Sequence, residues 1–84
     1  MKKIIMYSGP MCNFCEAAKR LLERNNLKYE VIDISTEESL RDEMIKKSNG
    51  KRTIPQIFFD DYHVGGYVEL RELEKNGTLK GLLE

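Results

Sequence analysis

The sequence is short of the features that mark several classes of protein. Its 84 residues include 14 Lys plus Arg and 14 Asp plus Glu, so the formal net charge is zero. A neutral chain offers no electrostatic footprint for nucleic acid or for an anionic membrane surface, so we expect neither as a partner. No apolar run approaches the roughly 20 residues that a helix needs to span a bilayer. The apolar run near the N-terminus ends after Tyr7, which is too short for the core of a signal peptide.

Cysteine is also scarce, because the chain has only Cys12 and Cys15. The disulfide frameworks of small secreted domains usually contain four or more cysteines. In a reducing cytosol, a lone C-x-x-C pair is more often catalytic or metal-binding than structural. We therefore expect a cytoplasmic protein that begins at Met1 and whose two thiols carry its chemistry.

Linkers, repeats and low-complexity segments are absent as well, so residues 1–84 are expected to form a single domain. Four short runs are rich in apolar and β-forming residues and are bounded by turn residues. These runs predict strands at residues 3–7, 28–34, 56–59 and 62–64.

Helical spacing of apolar residues predicts a first helix from about Cys12 to Asn25-Asn26. A capping-box pattern of Ser35 and Glu38 predicts the start of a second helix, and a third follows Gly65-Gly66. The resulting order is strand–helix–strand–helix–strand–strand–helix. In such an α/β fold the first two strands pair in parallel through a right-handed crossover, and the last two are antiparallel. The remaining leucines, Leu79, Leu82 and Leu83, predict a short amphipathic tail that docks on the core.

The two cysteines are placed where the first helix begins. Free N–H groups and the positive end of the helix dipole converge at that point, and both favour a thiolate on Cys12 over a thiol. Cys15 lies one turn further along nearly the same face, more buried and within disulfide reach. This asymmetry suits a thiol–disulfide exchanger, in which Cys12 attacks and Cys15 resolves the mixed disulfide.

Two other interpretations of the pair stay open on the motif alone. A structural zinc site needs four ligands, and His63 is the only imidazole in the chain, so the remaining ligand would have to be a carboxylate or come from a second chain. Two inert thiols are a further alternative, which the position at a helix start disfavours.

A proline stands directly before the third predicted strand, in RTIPQIFF at residues 52–59. About 5–6% of X–Pro bonds in folded proteins are cis, so the local sequence predicts a trans Ile54–Pro55 bond.

Three motifs taken together resemble the glutaredoxins, in particular the small bacterial dithiol type. They are CNFC at 12–15 behind the first strand, TIP at 53–55 and GGY at 65–67. The resemblance covers essentially the whole chain. It implies a thioredoxin fold, with a four-stranded mixed sheet flanked by three helices in the order βαβαββα. It also implies a cis Ile54–Pro55 bond and glutathione as the reductant, with no metal required.

The resemblance also implies where glutathione binds. The family pairs the cysteinyl backbone of glutathione with the residue before the cis proline, here Ile54. The γ-glutamyl carboxylate meets N–H groups at a helix start, here near Val68 and Glu69. Glu69 matches a family Asp that faces the glutathione ammonium, and Lys51 lies where many members place a residue on the glycyl carboxylate. The predicted glutathione-binding residues are Phe14, Lys51, Thr53, Ile54, Pro55, Val68 and Glu69.

Two departures from the family pattern lie close to the first cysteine. Many members have CPYC, whereas Asn13 here restores a backbone N–H and Phe14 keeps an aromatic wall over the groove. The family often has a lysine three residues before that cysteine, where this chain has Gly9. Without that cation, the helix terminus is the main expected stabiliser of the Cys12 thiolate.

The sequence therefore predicts a glutathione-dependent thiol–disulfide oxidoreductase that reduces protein disulfides and glutathione mixed disulfides. We expect it to act as a monomer in the cytoplasm, on disulfide-bonded or glutathionylated proteins. Three alternatives stay open. One is a redoxin reduced by a thioredoxin-type reductase, and another is a non-catalytic interaction module on the same fold. The third is a carrier of a [2Fe–2S] cluster held by Cys12 and glutathione, which the absence of proline at Asn13 leaves open.

Overall fold

A four-stranded mixed sheet forms the centre of the computed structural model, which describes all 84 residues. The sheet has the order β2-β1-β3-β4. β1 pairs in parallel with β2, and β3 pairs antiparallel with β4, both as predicted. β1 also pairs antiparallel with β3. The four strands are β1 (Ile4–Ser8), β2 (Glu30–Asp33), β3 (Gln56–Phe59) and β4 (Tyr62–Gly65).

Four helices cover the sheet, one more than the resemblance implied. They are α1 (Asn13–Arg24), α2 (Glu38–Lys47), α3 (Tyr67–Lys75) and α4 (Leu79–Leu83). The additional helix is the predicted amphipathic tail, which is helical because Leu79 and Leu83 are both buried against the core. The N–H and the Nζ of Lys2 donate to the carbonyls of Leu83 and Leu82, at 2.6 and 2.7 Å. None of the four helices has both the length and the apolar composition needed to span a bilayer.

The predicted capping box of the second helix is wrong. The N–H and Oγ of Ser35 both donate to Oδ1 of Asp33, at 2.8 and 2.6 Å, so Ser35 belongs to a turn that follows β2. Side chains of this kind often bond to local backbone groups outside helices instead of capping one. The helix begins at Glu38 with Glu37 as its N-cap residue, and the preceding strand is shorter than predicted.

The two faces of the sheet bury cores of different size. Side chains of a strand alternate between faces, so Ile4 and Met6 of β1 point to one side and Tyr7 to the other. The larger cluster contains 12 buried residues and packs under α1, α3 and α4. The smaller cluster has four, which are Tyr7, Ile34, Met44 and Phe58.

An ion pair joins α1 to α3 and so helps to fix the helix that borders the site. Nε and Nη2 of Arg24 donate to the Glu74 carboxylate at 2.9 and 2.6 Å, and the side chain of Asn25 donates to it at 2.7 Å. The bonds from Arg24 and then Asn25 lower the pKa of Glu74 to about 2.

The pairing of the strands brings three loops to one end of the sheet. Tyr7 near the end of β1 pairs with Gln56 at the start of β3, and Ile57 of β3 pairs with Gly65 at the end of β4. The loop before α1, the loop before β3 and the start of α3 therefore lie side by side. All the predicted site residues are in or next to these segments.

Candidate active site

Cys12 is the residue that precedes the first helical residue of α1. Its backbone is extended, with φ −117° and ψ 101°, and its Sγ accepts a hydrogen bond from the N–H of Cys15 at 3.1 Å. The first turn of the helix thus directs a backbone N–H at the sulfur. A negative charge on this sulfur is stabilised by that hydrogen bond and by the helix dipole.

Cys15 differs from Cys12 in its exposure. Its side chain is fully buried, whereas Cys12 is partly exposed. The Cα atoms are 5.2 Å apart and the two sulfurs are joined as a disulfide. This Cα separation lies within the usual range for disulfides. Only one of the two sulfurs, that of Cys12, can be reached by a substrate.

The loop before β3 lies against the Cys12 sulfur. The carbonyl oxygen of Ile54 is 3.9 Å from Sγ of Cys12. The Ile54–Pro55 bond is cis, so the prediction from the resemblance is confirmed and the prediction from the local sequence is wrong.

A groove of about 250 Å³ opens beside these residues. Six of the seven predicted glutathione-binding residues line it, together with two that the sequence prediction missed, Gly66 and Tyr67. Phe14 is 61% exposed and Val68 67% exposed, so the groove has apolar walls open to solvent. The rings of Phe14 and Tyr67 stack with centroids 6.0 Å apart. The GGY motif contained the signal for both missed residues. The six predicted residues in the groove are Phe14, Thr53, Ile54, Pro55, Val68 and Glu69.

Glu69 caps the helix to which it belongs. Its Oε1 accepts a hydrogen bond from the N–H of Gly66, the N-cap residue of α3, at 2.7 Å. Gly65 beside it has φ +115°, and a Cβ at this position would lie 2.8 Å from Oε1 of Glu69. Glycine is required at position 65 on both grounds. The carboxylate of Glu69 therefore stands at the groove while it satisfies a backbone donor.

Lys51 is the predicted residue that the structure does not bring into this groove. It borders a neighbouring cavity of about 450 Å³, which shares Thr53, Gly66 and Glu69 with the groove. Gln56 and His63 line the same cavity. Lys51 forms none of the three ion pairs of the chain, so its ammonium is free to meet an anion that extends from the groove.

His63 of β4 contacts Gln56 and Phe58 of β3. Its Nε2 is 2.7 Å from Oε1 of Gln56, and its ring stacks on that of Phe58 with centroids 4.8 Å apart. Burial, and to a smaller extent the charge of Lys51, lower the pKa of His63 below its ordinary value. No three side chains of His, Cys, Asp or Glu are grouped as ligands for a metal ion.

Gly9, three residues before Cys12, packs closely against Ile54. A Cβ at this position would lie 2.9 Å from Cδ1 of Ile54. Any larger residue at position 9 would therefore require the Ile54 side chain to move.

The family model of Glutaredoxin matches residues 4–64, which is more than half of the chain. The chain belongs to the glutaredoxin family. Glutaredoxins are thiol–disulfide oxidoreductases, so the protein is an enzyme of this class, and its Cys12–Cys15 pair fits the C-x-x-C site of the family.

Individual glutaredoxins are similar to the chain over nearly all of its length. Glutaredoxin 1 of Rickettsia conorii is 49% identical over 83 residues, which cover 96% of this chain and 80% of the relative. Glutaredoxin 3 of Escherichia coli K12 is 37% identical over the whole of both chains. The solution structure of a glutaredoxin from Brucella melitensis has a TM-score of 0.86 at 42% identity, and the match covers 99% of this chain and 89% of that one. These matches confirm the predicted thioredoxin fold.

Proposed function

We propose that this glutaredoxin-family enzyme uses glutathione to reduce protein disulfides and glutathione mixed disulfides. The observation that carries the proposal is the position of the Cys12 sulfur. It is the accessible sulfur of the pair, it accepts an N–H from the first turn of α1, and it lies 3.9 Å from the Ile54 carbonyl oxygen that borders the groove. The use of glutathione by the family supports the choice of reductant.

The reaction begins with attack by the Cys12 thiolate on one sulfur of the substrate disulfide. The other substrate sulfur leaves as a thiolate and takes up a proton. With a protein substrate, the Cys15 thiolate then attacks the Cys12 sulfur of the mixed disulfide, which releases the second substrate thiol and closes the Cys12–Cys15 bond. Two glutathione molecules reopen this bond in succession, through a Cys12–glutathione adduct, and leave as glutathione disulfide. With a glutathione mixed disulfide, Cys12 alone is sufficient.

We propose a single orientation for glutathione in the groove. Its cysteinyl backbone pairs with the backbone of Ile54, which leaves its sulfur next to Cys12. Its γ-glutamyl carboxylate meets N–H groups at the start of α3 near Val68, with Glu69 facing its ammonium. Its glycyl carboxylate extends to Lys51 in the neighbouring cavity. The lining of the groove by Phe14, Thr53 and Pro55 supports this placement.

We further propose that the enzyme acts as a monomer in the cytoplasm, on disulfide-bonded or glutathionylated proteins. A reducing compartment supplies the glutathione that the reaction consumes, and the chain has no cysteines beyond the reactive pair. Size-exclusion chromatography of the reduced protein with light scattering tests the monomer.

A coupled assay tests the proposal. It combines the protein with glutathione, glutathione reductase and a small glutathionylated substrate, and it follows the consumption of NADPH. We expect turnover that depends on both the protein and glutathione. A parallel assay replaces glutathione and its reductase by thioredoxin reductase. Turnover in that assay alone would contradict the proposal and favour the thioredoxin-type alternative.

Visible absorption of protein purified anaerobically with glutathione would reveal a bound [2Fe–2S] cluster.

A further inference from the structure

A chain of side-chain hydrogen bonds runs from β4 to the loop before β3. Nε2 of His63 lies 2.7 Å from Oε1 of Gln56. Nε2 of Gln56 donates to the carbonyl oxygen of Thr53 at 3.0 Å and to its Oγ1 at 3.2 Å. Gln56 is only 3% exposed, so its amide is shielded from water at the centre of these bonds. Of the three residues joined by these hydrogen bonds, only Thr53 was predicted to belong to the site.

The direction of each bond is fixed by the donors available. Both bonds to Thr53 come from the amide nitrogen of Gln56, which leaves its Oε1 as an acceptor facing His63. Nε2 of His63 must therefore carry a hydrogen and donate it. The stacking of the His63 ring on Phe58 holds that nitrogen towards Gln56. No buried side-chain nitrogen or oxygen in the protein lacks a hydrogen-bond partner, so the chain of bonds is complete.

The hydrogen bonds from Gln56 reach a part of the loop that has no other hydrogen-bond support. Residues 52–55 neither donate nor accept a backbone–backbone hydrogen bond. Thr53 is itself exposed, and it is followed by Ile54, whose carbonyl oxygen lies 3.9 Å from the Cys12 sulfur. The Gln56 amide is therefore the main hydrogen-bond anchor of the segment that borders the groove.

We propose that His63 and Gln56 are positioning residues for glutathione: they hold Thr53, and through it Ile54, in the conformation that the tripeptide binds. The inference rests on the proposed function, because it assigns these residues to the same glutathione site. Neither residue needs to touch the reacting sulfur. A preformed edge at Ile54 binds a peptide with less ordering cost than a mobile one.

Two variants remove successive members of the chain of bonds, and one serves as a control. Gln56→Met keeps the length of the side chain and removes every hydrogen bond to Thr53. His63→Phe keeps a ring to stack on Phe58 and removes only the donor to Gln56. Lys47→Met is the control, since the Lys47 ammonium lies 5.1 Å from the centroid of the same Phe58 ring but takes no part in the hydrogen bonds of His63, Gln56 and Thr53.

The first readout is the mobility of the loop in the reduced, glutathione-free protein, measured by ¹⁵N relaxation. We expect order parameters of the Thr53 and Ile54 amides near the rigid value of about 0.85 in the wild type and below about 0.6 in Gln56→Met. His63→Phe should have a smaller effect, because Gln56 can still reach Thr53. Lys47→Met should not differ from the wild type.

The second readout separates positioning from general damage. In the coupled assay we expect the KM for glutathione to rise about fivefold or more in Gln56→Met, the range expected when a buried hydrogen-bonded group loses its partner. The kcat at saturating glutathione and the rate of Cys12 alkylation should stay within about twofold of the wild type, because α1 is not part of the chain of bonds.

Several results would overturn the inference. One is a rigid loop in both variants, and another is a mobile loop with an unchanged KM for glutathione. A third is a KM increase accompanied by an equal loss of Cys12 alkylation, which would indicate general structural damage. If Gln56→Met does not fold, His63→Phe decides between the same outcomes. If the wild type does not use glutathione at all, the proposed function fails in the assay, and a loop that stays rigid in the variants separately overturns the anchoring role.

Discussion

The two ends of β1 differ in the cavities that lie beside them, and the difference shows which features mark the active site. At the Ser8 end, Cys12 stands beside a groove of about 250 Å³. At the Ile4 end there is a larger cleft of about 410 Å³, lined by the first four residues, by Asn26 and by residues 28–30. Its lining includes three lysines, Lys2, Lys3 and Lys28. This far cleft is larger than the groove, although the neighbouring cavity of about 450 Å³ that Lys51 borders at the site end is larger still.

The polar groups of the larger cleft are largely engaged within the protein. The ammonium of Lys3 pairs with Glu30 at 3.1 Å, and that of Lys2 donates to the Leu82 carbonyl at 2.7 Å. The smaller groove is instead lined by Ile54, whose carbonyl oxygen lies 3.9 Å from the accessible Cys12 sulfur and whose backbone makes no backbone–backbone hydrogen bond. An accessible sulfur at a helix start and unpaired backbone groups therefore distinguish this end of the sheet from the far cleft.

The largest effect should come from Cys12→Ser. We expect turnover to fall to background with both protein disulfides and glutathione mixed disulfides, because no other nucleophile occupies the helix start. The coupled assay measures both, and circular dichroism checks that the variant is folded. Substantial turnover in a folded Cys12→Ser protein would contradict the assignment of this end of the sheet as the active site.

Cys15→Ser should divide the two activities. Reduction of glutathione mixed disulfides needs only the Cys12 sulfur and should persist, whereas direct reduction of protein disulfides should be severely impaired because nothing resolves the mixed disulfide. Insulin reduction and the deglutathionylation assay provide the two measurements. Equal loss of both activities would show that Cys15 also has a role in deglutathionylation.

Two substitutions of Glu69 separate its charge from its capping bond. Glu69→Gln keeps an acceptor for the Gly66 N–H and removes the charge, so we expect a several-fold higher KM for glutathione at nearly unchanged stability. Glu69→Ala removes both, and should in addition lower the free energy of unfolding by about 0.5–2 kcal/mol. Urea denaturation and the coupled assay measure these effects. An unchanged KM in both variants would exclude Glu69 from the glutathione site.

The smallest effect should come from the far cleft. Lys28 is exposed in that cleft. For Lys28→Ala we expect no more than about a twofold change in kcat/KM and a change within about 0.5 kcal/mol in the free energy of unfolding. A large loss of activity in this variant would mean that the far end of β1 takes part in function, and the comparison between the two ends would fail.

Much of the fold was predictable because it depends on local patterns. The bounds of β3, Gln56–Phe59, were predicted correctly because turn residues and Pro55 flank an apolar run. The start of α2 was predicted wrongly, because Ser35 forms hydrogen bonds with Asp33 and does not cap the helix. The fourth helix is only five residues long and is stabilised by burial of Leu79 and Leu83. Its local pattern therefore predicted a tail docked on the core but not that the tail is helical.

The site was predictable where a motif carries it. The position of Cys12 before α1 follows from C-x-x-C after a strand, and most of the groove follows from the TIP and GGY motifs. The contacts that could not be predicted join residues far apart in the chain. The stacking of Phe14 on Tyr67 and the bond from His63 to Gln56 depend on how the strands and helices meet, which no local pattern of residues records.

The central claim is that the start of α1 activates Cys12. The most direct test is the rate of alkylation of the reduced protein by iodoacetamide as a function of pH, with Cys12→Ser as the control that leaves only Cys15. We expect one fast thiol that is absent from the control, and a midpoint of its rate well below the pKa of about 8.5 of free cysteine. A midpoint near 8.5 for the fast thiol, or equal rates for Cys12 and Cys15, would contradict it.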